Sequence, residues 1–187
     1  MNKRWLIILA AVGIHISIGS VYAWSVFTTP IMEYFGCSLQ AVQFAFSLAI
    51  LFLGFSASFL GKYVEKYGSK KAGLISTACY TTGLLGTGLA IYLKSIPLLY
   101  LFYGIIGGIG LGVGYITPVS TTVKWFPNNR GFATGCAIMG FGFAAFIASP
   151  VIQKLIDTIS LPLVPVVLAV VYCLIMTVSS LTFSLPP

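Results

Sequence analysis

Six stretches of the chain carry no charged side chain, and each is 22 residues or longer. They cover residues 5–32, 34–61, 72–93, 95–123, 131–153 and 158–187. An α-helix needs about 20 apolar residues to cross the hydrocarbon core of a bilayer. The stretches also lack the alternating pattern of about ten residues that marks a membrane β-strand. With a mean hydropathy of +1.02, the sequence therefore predicts an all-α membrane protein with six transmembrane helices.

The ends of the six spans are predicted from charges, prolines and one capping residue. We expect a single six-helix bundle over residues 1–187, with spans near 5–30, 40–60, 72–93, 97–123, 131–150 and 161–183. Pro30 and Pro150 are predicted to end spans one and five, because proline removes a helical hydrogen bond. A loop holding Lys154 and Asp157 should then follow span five. Ser38 is the predicted N-cap of span two.

The segment 61–71 packs four lysines and one glutamate into eleven residues of a chain that is otherwise poor in charge. Such a patch cannot sit in hydrocarbon, so we predict a short aqueous hairpin between spans two and three. Because successive spans cross the membrane in opposite directions, eight basic residues lie on the same side as the hairpin. Two, Lys94 and Lys154, lie on the other side. The eight are Lys3, Arg4, Lys62, Lys66, Lys70, Lys71, Lys124 and Arg130. The positive-inside rule predicts that both termini are cytoplasmic.

The composition argues against several other classes of protein. The formal net charge is +7, but the basic residues are scattered at the ends of apolar runs, so we expect no nucleic-acid partner. The four cysteines lie far apart and form no C-x-x-C pair, so neither a metal site nor a disulfide framework is indicated. We expect no cofactor.

Spans one and four share the pattern G-x-x-Y-x-x-x-V, at residues 19–26 and 112–119. Three identities can arise by chance, but the pairing is what a 3+3 inverted repeat predicts, and in such transporters the repeated helices line the substrate path. Span four also carries Gly104, Gly108 and Gly112 at every fourth position, a strip that lets another helix approach closely. Pro118 is expected to bend this span.

The charged segment resembles a known loop. Its matching residues are Gly61, Glu65, Lys66, Gly68, Lys70 and Lys71. In this order they resemble the G-x-x-x-D-R-x-G-R-R/K loop between helices two and three of the major facilitator superfamily, with Glu for Asp, Lys for Arg and Ser69 for a basic residue. The phrase W-F-P-x-x-R-G, ending in Arg130 and Gly131, looks like the connection between helices four and five of that superfamily. Residues 19–24 and 112–115 are similar to its oxalate:formate antiporter and monocarboxylate transporter branch.

The resemblance implies a fold of two six-helix bundles with substrate held between them. This chain matches the amino-terminal bundle, so it is expected to be a fragment, a split transporter or a half that dimerises. The implied function is secondary active transport of a small organic anion, a monocarboxylate such as lactate, formate or oxalate, by alternating access. The expected partners are that anion, the lipid bilayer and a second six-helix bundle, in the plasma membrane or a bacterial inner membrane. A membrane scaffold without transport is the alternative.

Tyr22, Tyr115 and Trp24 are the candidates to contact substrate. A phenol hydroxyl can donate or accept a hydrogen bond, and the resemblance favours a cavity over simple packing for both tyrosines. Trp24 is a weaker candidate, because it can instead anchor at the membrane surface. His15, the single histidine, precedes Tyr22 by seven residues and so shares its helical face. It can couple proton movement, or it can be a neutral histidine bonded to a neighbouring helix.

The charged segment has two interpretations. Glu65 and its lysines, held by Gly61 and Gly68 as tight turns, can pair with helix ends of the opposite bundle and close one side of the pathway. Otherwise they are a solvated topology signal. The spans offer an anion no positive side chain, so a cationic partner is expected from the missing bundle. An enzyme is not expected: an intramembrane serine protease needs a histidine base beside a serine, and no G-x-S-x-G elbow accompanies His15.

Overall fold

The computed structural model describes residues 3–184 and 186. Six long helices, each apolar enough to cross a membrane, account for most of these residues, and no strand occurs among them. They are helix 1 (Lys3–Phe35), helix 2 (Leu39–Tyr67), helix 3 (Ser69–Tyr92), helix 4 (Ile96–Trp125), helix 5 (Arg130–Thr158) and helix 6 (Leu163–Thr182). The prediction of an all-α protein with six membrane-spanning helices is confirmed.

The helices pack in a pattern with internal symmetry. Helix 1 packs mainly on helix 5 and also contacts helix 6, helix 4 packs on helices 2 and 3, and helices 3 and 6 pack on each other. Exchanging the first three helices with the last three reproduces these pairs, as expected for two inverted repeats of three helices. Helices 1 and 4 also contact each other. They are therefore equivalent members of the two halves that meet inside the bundle.

Two predicted helix ends are wrong. Pro30 lies inside the segment Trp24–Phe35, and Pro150 lies inside helix 5. Neighbouring helices and local adjustments let membrane helices tolerate proline, and each ring removes only one hydrogen bond. Helix 1 ends instead at Gly36, whose φ of 67° lies in the left-handed region that suits glycine.

Because helix 5 continues past Pro150, Lys154 and Asp157 lie on it and not in a loop. Gln153 lies on the same face, and its amide nitrogen donates to the Asp157 carboxylate over 3.1 Å. The last turns of helix 5 thus continue beyond its apolar part and carry polar side chains. The predicted start of helix 2 is confirmed: the Ser38 hydroxyl accepts from the amide of Ala41 at 3.3 Å.

The charged segment is not a hairpin loop. Helix 2 continues to Tyr67 and helix 3 begins at Ser69, so a single residue, Gly68, separates them. Gly68 has a φ of 86°, and its amide bonds to the carbonyl of Val64. The prediction of a tight turn is right for Gly68 and wrong for Gly61, which is helical. When the helix continues through the charged residues, its backbone N–H and C=O groups form hydrogen bonds with each other. In a longer loop they would not.

Helices 1 and 4 each contain a segment that departs from α-helical geometry. Helix 1 contains a 3₁₀ segment, Ser20–Ala23, and helix 4 contains a π-helical segment, Tyr100–Ile106. Trp24, the first residue after the 3₁₀ segment, stacks on Tyr103 of the π-helical segment, with ring centres 4.1 Å apart. Pro118 lies within the regular α-helical part of helix 4.

The glycine strip of helix 4 faces helix 2, as predicted. A Cβ atom added to Gly104 would lie 2.7 Å from the Cβ of Leu48, and one added to Gly108 would lie 2.8 Å from the carbonyl oxygen of Ala49. At Gly112 an added Cβ would collide with the Ser56 hydroxyl. The absence of side chains therefore sets the distance between helices 2 and 4.

Candidate substrate-binding site and gate

An aromatic cluster gathers around Phe141 of helix 5. The Tyr22 ring of helix 1 meets it edge to face with centres 5.2 Å apart, and the Tyr115 ring of helix 4 meets it at 5.4 Å. Phe46 of helix 2 lies 6.4 Å from the Tyr22 ring. These spacings are those of favourable edge-to-face pairs. The structure thus brings together the two tyrosines that the sequence singled out, on a surface shared by helices 1, 2, 4 and 5.

The two phenols differ in exposure. Tyr22 is 48% exposed, Tyr115 is half-buried and Phe141 is 8% exposed. Among the described residues, the hydroxyls of Tyr80 and Tyr100 take part in hydrogen bonds within the bundle, whereas those of Tyr22 and Tyr115, like those of several further tyrosines, do not. Both hydroxyls are therefore available to a ligand at the surface of the bundle.

His15 lies directly behind this cluster. The imidazole is fully buried, with its centre 5.5 Å from the Tyr115 ring and 5.8 Å from the Phe141 ring. Nδ1 lies 2.5 Å from the carbonyl oxygen of Ala137 on helix 5, and Nε2 lies 3.2 Å from the carbonyl oxygen of Tyr115 on helix 4. The histidine therefore ties helix 1 to helices 4 and 5 beside the candidate site.

The two carbonyl partners bear on the protonation of His15. A carbonyl oxygen can only accept, and a neutral imidazole carries a single N–H, so the neutral ring can donate to one of the two carbonyls. A doubly protonated ring would donate to both. The position fits either a neutral histidine bonded to a neighbouring helix or a site that takes up a second proton.

Trp24 does not belong to the aromatic cluster. It is 2% exposed, its indole N–H donates to the carbonyl of Val42 at 3.3 Å, and its ring stacks on Tyr103. The ring and its donor are thus used in packing helix 1 against helices 2 and 4. A contact between Trp24 and substrate stays a prediction.

The charged side chains around Gly68 point to two different sides. Lys62 and Glu65 line a groove of about 430 Å³ between helices 2 and 4, which Lys124 also lines. Lys66 lies instead over the ring of Tyr67, with Nζ 5.5 Å from its centre. Lys70 and Lys71 are exposed in the first turn of helix 3. The sequence motif therefore holds two separate groups of charges.

Arg130 is likewise not in a loop. It is exposed and forms the first residue of helix 5, after the short connection that follows Trp125. Trp125 itself is buried, and its indole N–H donates to the carbonyl of Ser184 at 2.8 Å. The connection between helices 4 and 5 is thus fastened to the end of helix 6.

Phe141 and Phe46 were not predicted from the sequence. The chain has 14 phenylalanines, and neither of these two lies in a motif or shares a repeat with another aromatic residue. Tyr22 and His15 could be related because they lie seven residues apart on one helix. Phe141 joins them only through the packing of helix 5 on helix 1, for which the sequence carries no comparable signal.

Comparison with known proteins agrees with this architecture. The sequence model of the Major Facilitator Superfamily matches residues 8–187. The chain belongs to the Major Facilitator Superfamily. Members of this superfamily are transporters and not enzymes, and its fold accounts for a multi-pass bundle of apolar helices.

The names of three relatives in the superfamily differ in how much they say about function. The "Uncharacterized MFS-type transporter YhjX" of Escherichia coli is 30% identical over 162 residues, which cover 86% of this chain and 39% of the relative. The oxalate:formate antiporter of Oxalobacter formigenes is 30% identical over 157 residues, or 83% of this chain and 37% of the relative. Human monocarboxylate transporter 14 is 25% identical over 152 residues, or 81% and 29%. The chain thus corresponds to less than half the length of these transporters.

Proposed function

We propose that this chain forms the amino-terminal bundle of a secondary transporter that carries a small organic anion, a monocarboxylate such as lactate, formate or oxalate, by alternating access. The observation that carries the proposal is that Tyr22 and Tyr115, whose hydroxyls make no hydrogen bond within the described bundle, both pack edge to face against Phe141. The printed names of two relatives, an oxalate:formate antiporter and a monocarboxylate transporter, support the class of substrate.

The chemistry of the cluster suits one half of an anion site. A carboxylate accepts hydrogen bonds from phenols, and the edges of aromatic rings carry partial positive charge. The aromatic cluster contains no positively charged side chain, so it does not neutralise a carboxylate by itself. A second six-helix bundle facing helices 1, 2, 4 and 5 would supply the cation, since an anion leaving water needs a compensating charge or several aimed donors.

His15 is the proposed coupling residue. It lies against Tyr115 and Phe141, so a change in its protonation is felt by the residues that would hold substrate. A second proton would give the ring two N–H donors, one for the carbonyl of Ala137 and one for that of Tyr115, and would fix helices 4 and 5 relative to helix 1. The neutral alternative is a purely structural tie between the same helices.

Glu65 is the proposed gate, together with the motif glycines and lysines around Gly68. Of these charges, Glu65 and Lys62 line the groove between helices 2 and 4 and are placed to pair with helix ends of a facing bundle. The excess of basic residues on the side of Gly68 supports a cytoplasmic position for this gate and for both termini, in a plasma membrane or a bacterial inner membrane.

The test is uptake of radiolabelled oxalate, formate and lactate by proteoliposomes holding this chain together with its second bundle. Tyr22→Phe and Tyr115→Phe remove only the hydroxyls, and each is expected to lower uptake at least tenfold. Tyr92→Phe is the matched control, because Tyr92 is 69% exposed at the far end of helix 3. Uptake by this chain as a strict monomer would contradict the need for a second bundle. A stable crosslinked partner with no uptake of any anion would favour the scaffold.

A further inference from the structure

A second surface near Gly68 is unrelated to the aromatic cluster. Helices 2 and 3 diverge from their shared turn and leave an open groove of about 240 Å³ on the outside of the bundle. Its floor is formed by Val64 and Ala72, with Val113 of helix 4 behind them, and the polar part of its lining is negligible. Such a groove, on the side of a membrane-spanning bundle, holds apolar chains.

The mouth of this groove is aromatic and basic. Tyr63 and Tyr67 line it on helix 2 with their rings nearly parallel, 6.3 Å apart, and each is about half exposed. Lys66 lies over Tyr67. On helix 3, Lys71 precedes the groove residue Ile75 by four residues, so it lies one turn nearer the membrane surface on the same helical face.

Among the residues that the structure describes, no acidic side chain lines this groove. Glu65, the acidic residue of the segment, lines the other groove, between helices 2 and 4. The mouth of the groove between helices 2 and 3 therefore combines tyrosines, which favour the lipid headgroup level, with uncompensated positive charge. Juxtamembrane lysines attract anionic lipids, each by about fivefold in affinity.

We propose that an anionic phospholipid binds this groove, with an acyl chain between helices 2 and 3 and its phosphate held by Lys66 and Lys71. The groove accepts the chain because its lining is apolar, and the mouth selects the headgroup because it is positive. The lipid would occupy the leaflet on the side of Gly68. The aromatic cluster and the lipid groove share no residue, so this inference is independent of the transported substrate. Lys66 and Lys71 belong also to the proposed gate.

Native mass spectrometry of the purified chain tests the proposal. The protein is released from micelles that contain phosphatidylglycerol, phosphatidylcholine or phosphatidylethanolamine with identical acyl chains. One phosphatidylglycerol is expected to be retained preferentially. Lys66→Gln and Lys71→Gln should each weaken its apparent affinity about fivefold, and the double variant about 25-fold. Lys94→Gln and Lys154→Gln remove the same charge at the opposite ends of the helices and should leave retention unchanged.

Several results would overturn the proposal. Equal retention of all three lipids would mean that the mouth does not select charge, and equal losses in Lys94→Gln and Lys66→Gln would mean that only net charge matters. Displacement of the lipid by glycerol phosphate would show that the apolar groove contributes nothing.

A photoreactive group on the acyl chain of phosphatidylglycerol locates the chain without any substitution. Labelling is expected within residues 60–75, and labelling spread evenly over the six helices would contradict the site. An Ile75→Cys variant that crosslinks to a polypeptide in place of lipid would assign the groove to a partner helix instead.

Discussion

Replacing Gly108 by alanine tests whether the glycine strip sets the distance between helices 2 and 4. The added methyl group would lie 2.7 Å from the Cβ of Phe52 and 2.8 Å from the carbonyl oxygen of Ala49. Ordinary contacts begin near 3.4 Å, so the helices must separate by roughly 0.6 Å. The oxygen is part of the backbone of helix 2 and cannot rotate away as a side chain could.

The magnitude follows from two opposing effects. Overpacking a close interface costs about 1–3 kcal/mol, whereas alanine is a better helix former than glycine by up to ~1 kcal/mol. The Ser56 hydroxyl also donates to the Gly108 carbonyl at 3.4 Å, and this contact would be lost on separation. We therefore expect Gly108→Ala to lower the free energy of unfolding by roughly 1–2 kcal/mol.

Gly54→Ala is the matched control on helix 2. Nothing lies within 4 Å of a Cβ added there, so the variant gains helix propensity without a clash and should be as stable as the parent or slightly more so. Unfolding by dodecyl sulfate in mixed micelles, followed by circular dichroism, measures both. Gly108→Ala as stable as Gly54→Ala would refute the idea that backbone contact at the strip fixes the two helices.

Three further predictions concern the proposed transporter assembled with its second bundle. His15→Gln keeps one donor toward the carbonyls but cannot gain a proton, so uptake should lose its pH dependence; unchanged pH dependence would end the coupling role. Glu65→Gln should lower uptake several-fold while membrane insertion is intact, and full activity would argue against a gate. In intact cells, a membrane-impermeant thiol reagent should miss Lys66→Cys and reach Lys94→Cys after the native cysteines are replaced; labelling of Lys66→Cys would reverse the orientation.

The sequence was sufficient for features that depend on short-range physics. The number of spans follows from hydrocarbon thickness, because charges cannot be buried cheaply in lipid. The cap at Ser38 follows from one side chain and the amide three residues later. The strip at Gly104, Gly108 and Gly112 follows from helical spacing alone. None of these predictions requires knowledge of which helices pack against each other.

Helix ends were harder to predict than helix number. Pro30 and Pro150 were expected to end their helices, yet a proline removes one hydrogen bond and leaves those on either side intact. The segment 61–71 was expected to be a loop because it is charged, but charge shows only that the backbone has left the hydrocarbon. Whether a helix ends there depends on a residue that can take a positive φ, and only Gly68 does.

The position of Trp24 could not be predicted because of an irregularity next to it. A 3₁₀ helix turns by about 120° per residue and an α-helix by about 100°. Over the four residues Ser20–Ala23 the difference accumulates to roughly 80°. The residues after this segment are therefore rotated relative to the face defined by His15. In a uniform α-helix, Trp24 would point in a different direction around the helix axis relative to the aromatic cluster.

The energetics of the aromatic cluster explain why a second bundle would matter to the proposed function. Moving a carboxylate out of water into a protein costs several kcal/mol. Hydrogen bonds to charged groups contribute about 1.5–3 kcal/mol each. The hydroxyls of Tyr22 and Tyr115 together therefore about cancel the cost of desolvation and leave little net binding free energy. An anion would then bind the isolated bundle weakly, and tight binding would appear only when a cation from the facing bundle completes the site. Substrate affinity would thus depend on closure of the two bundles, which is the link between binding and movement that alternating access requires.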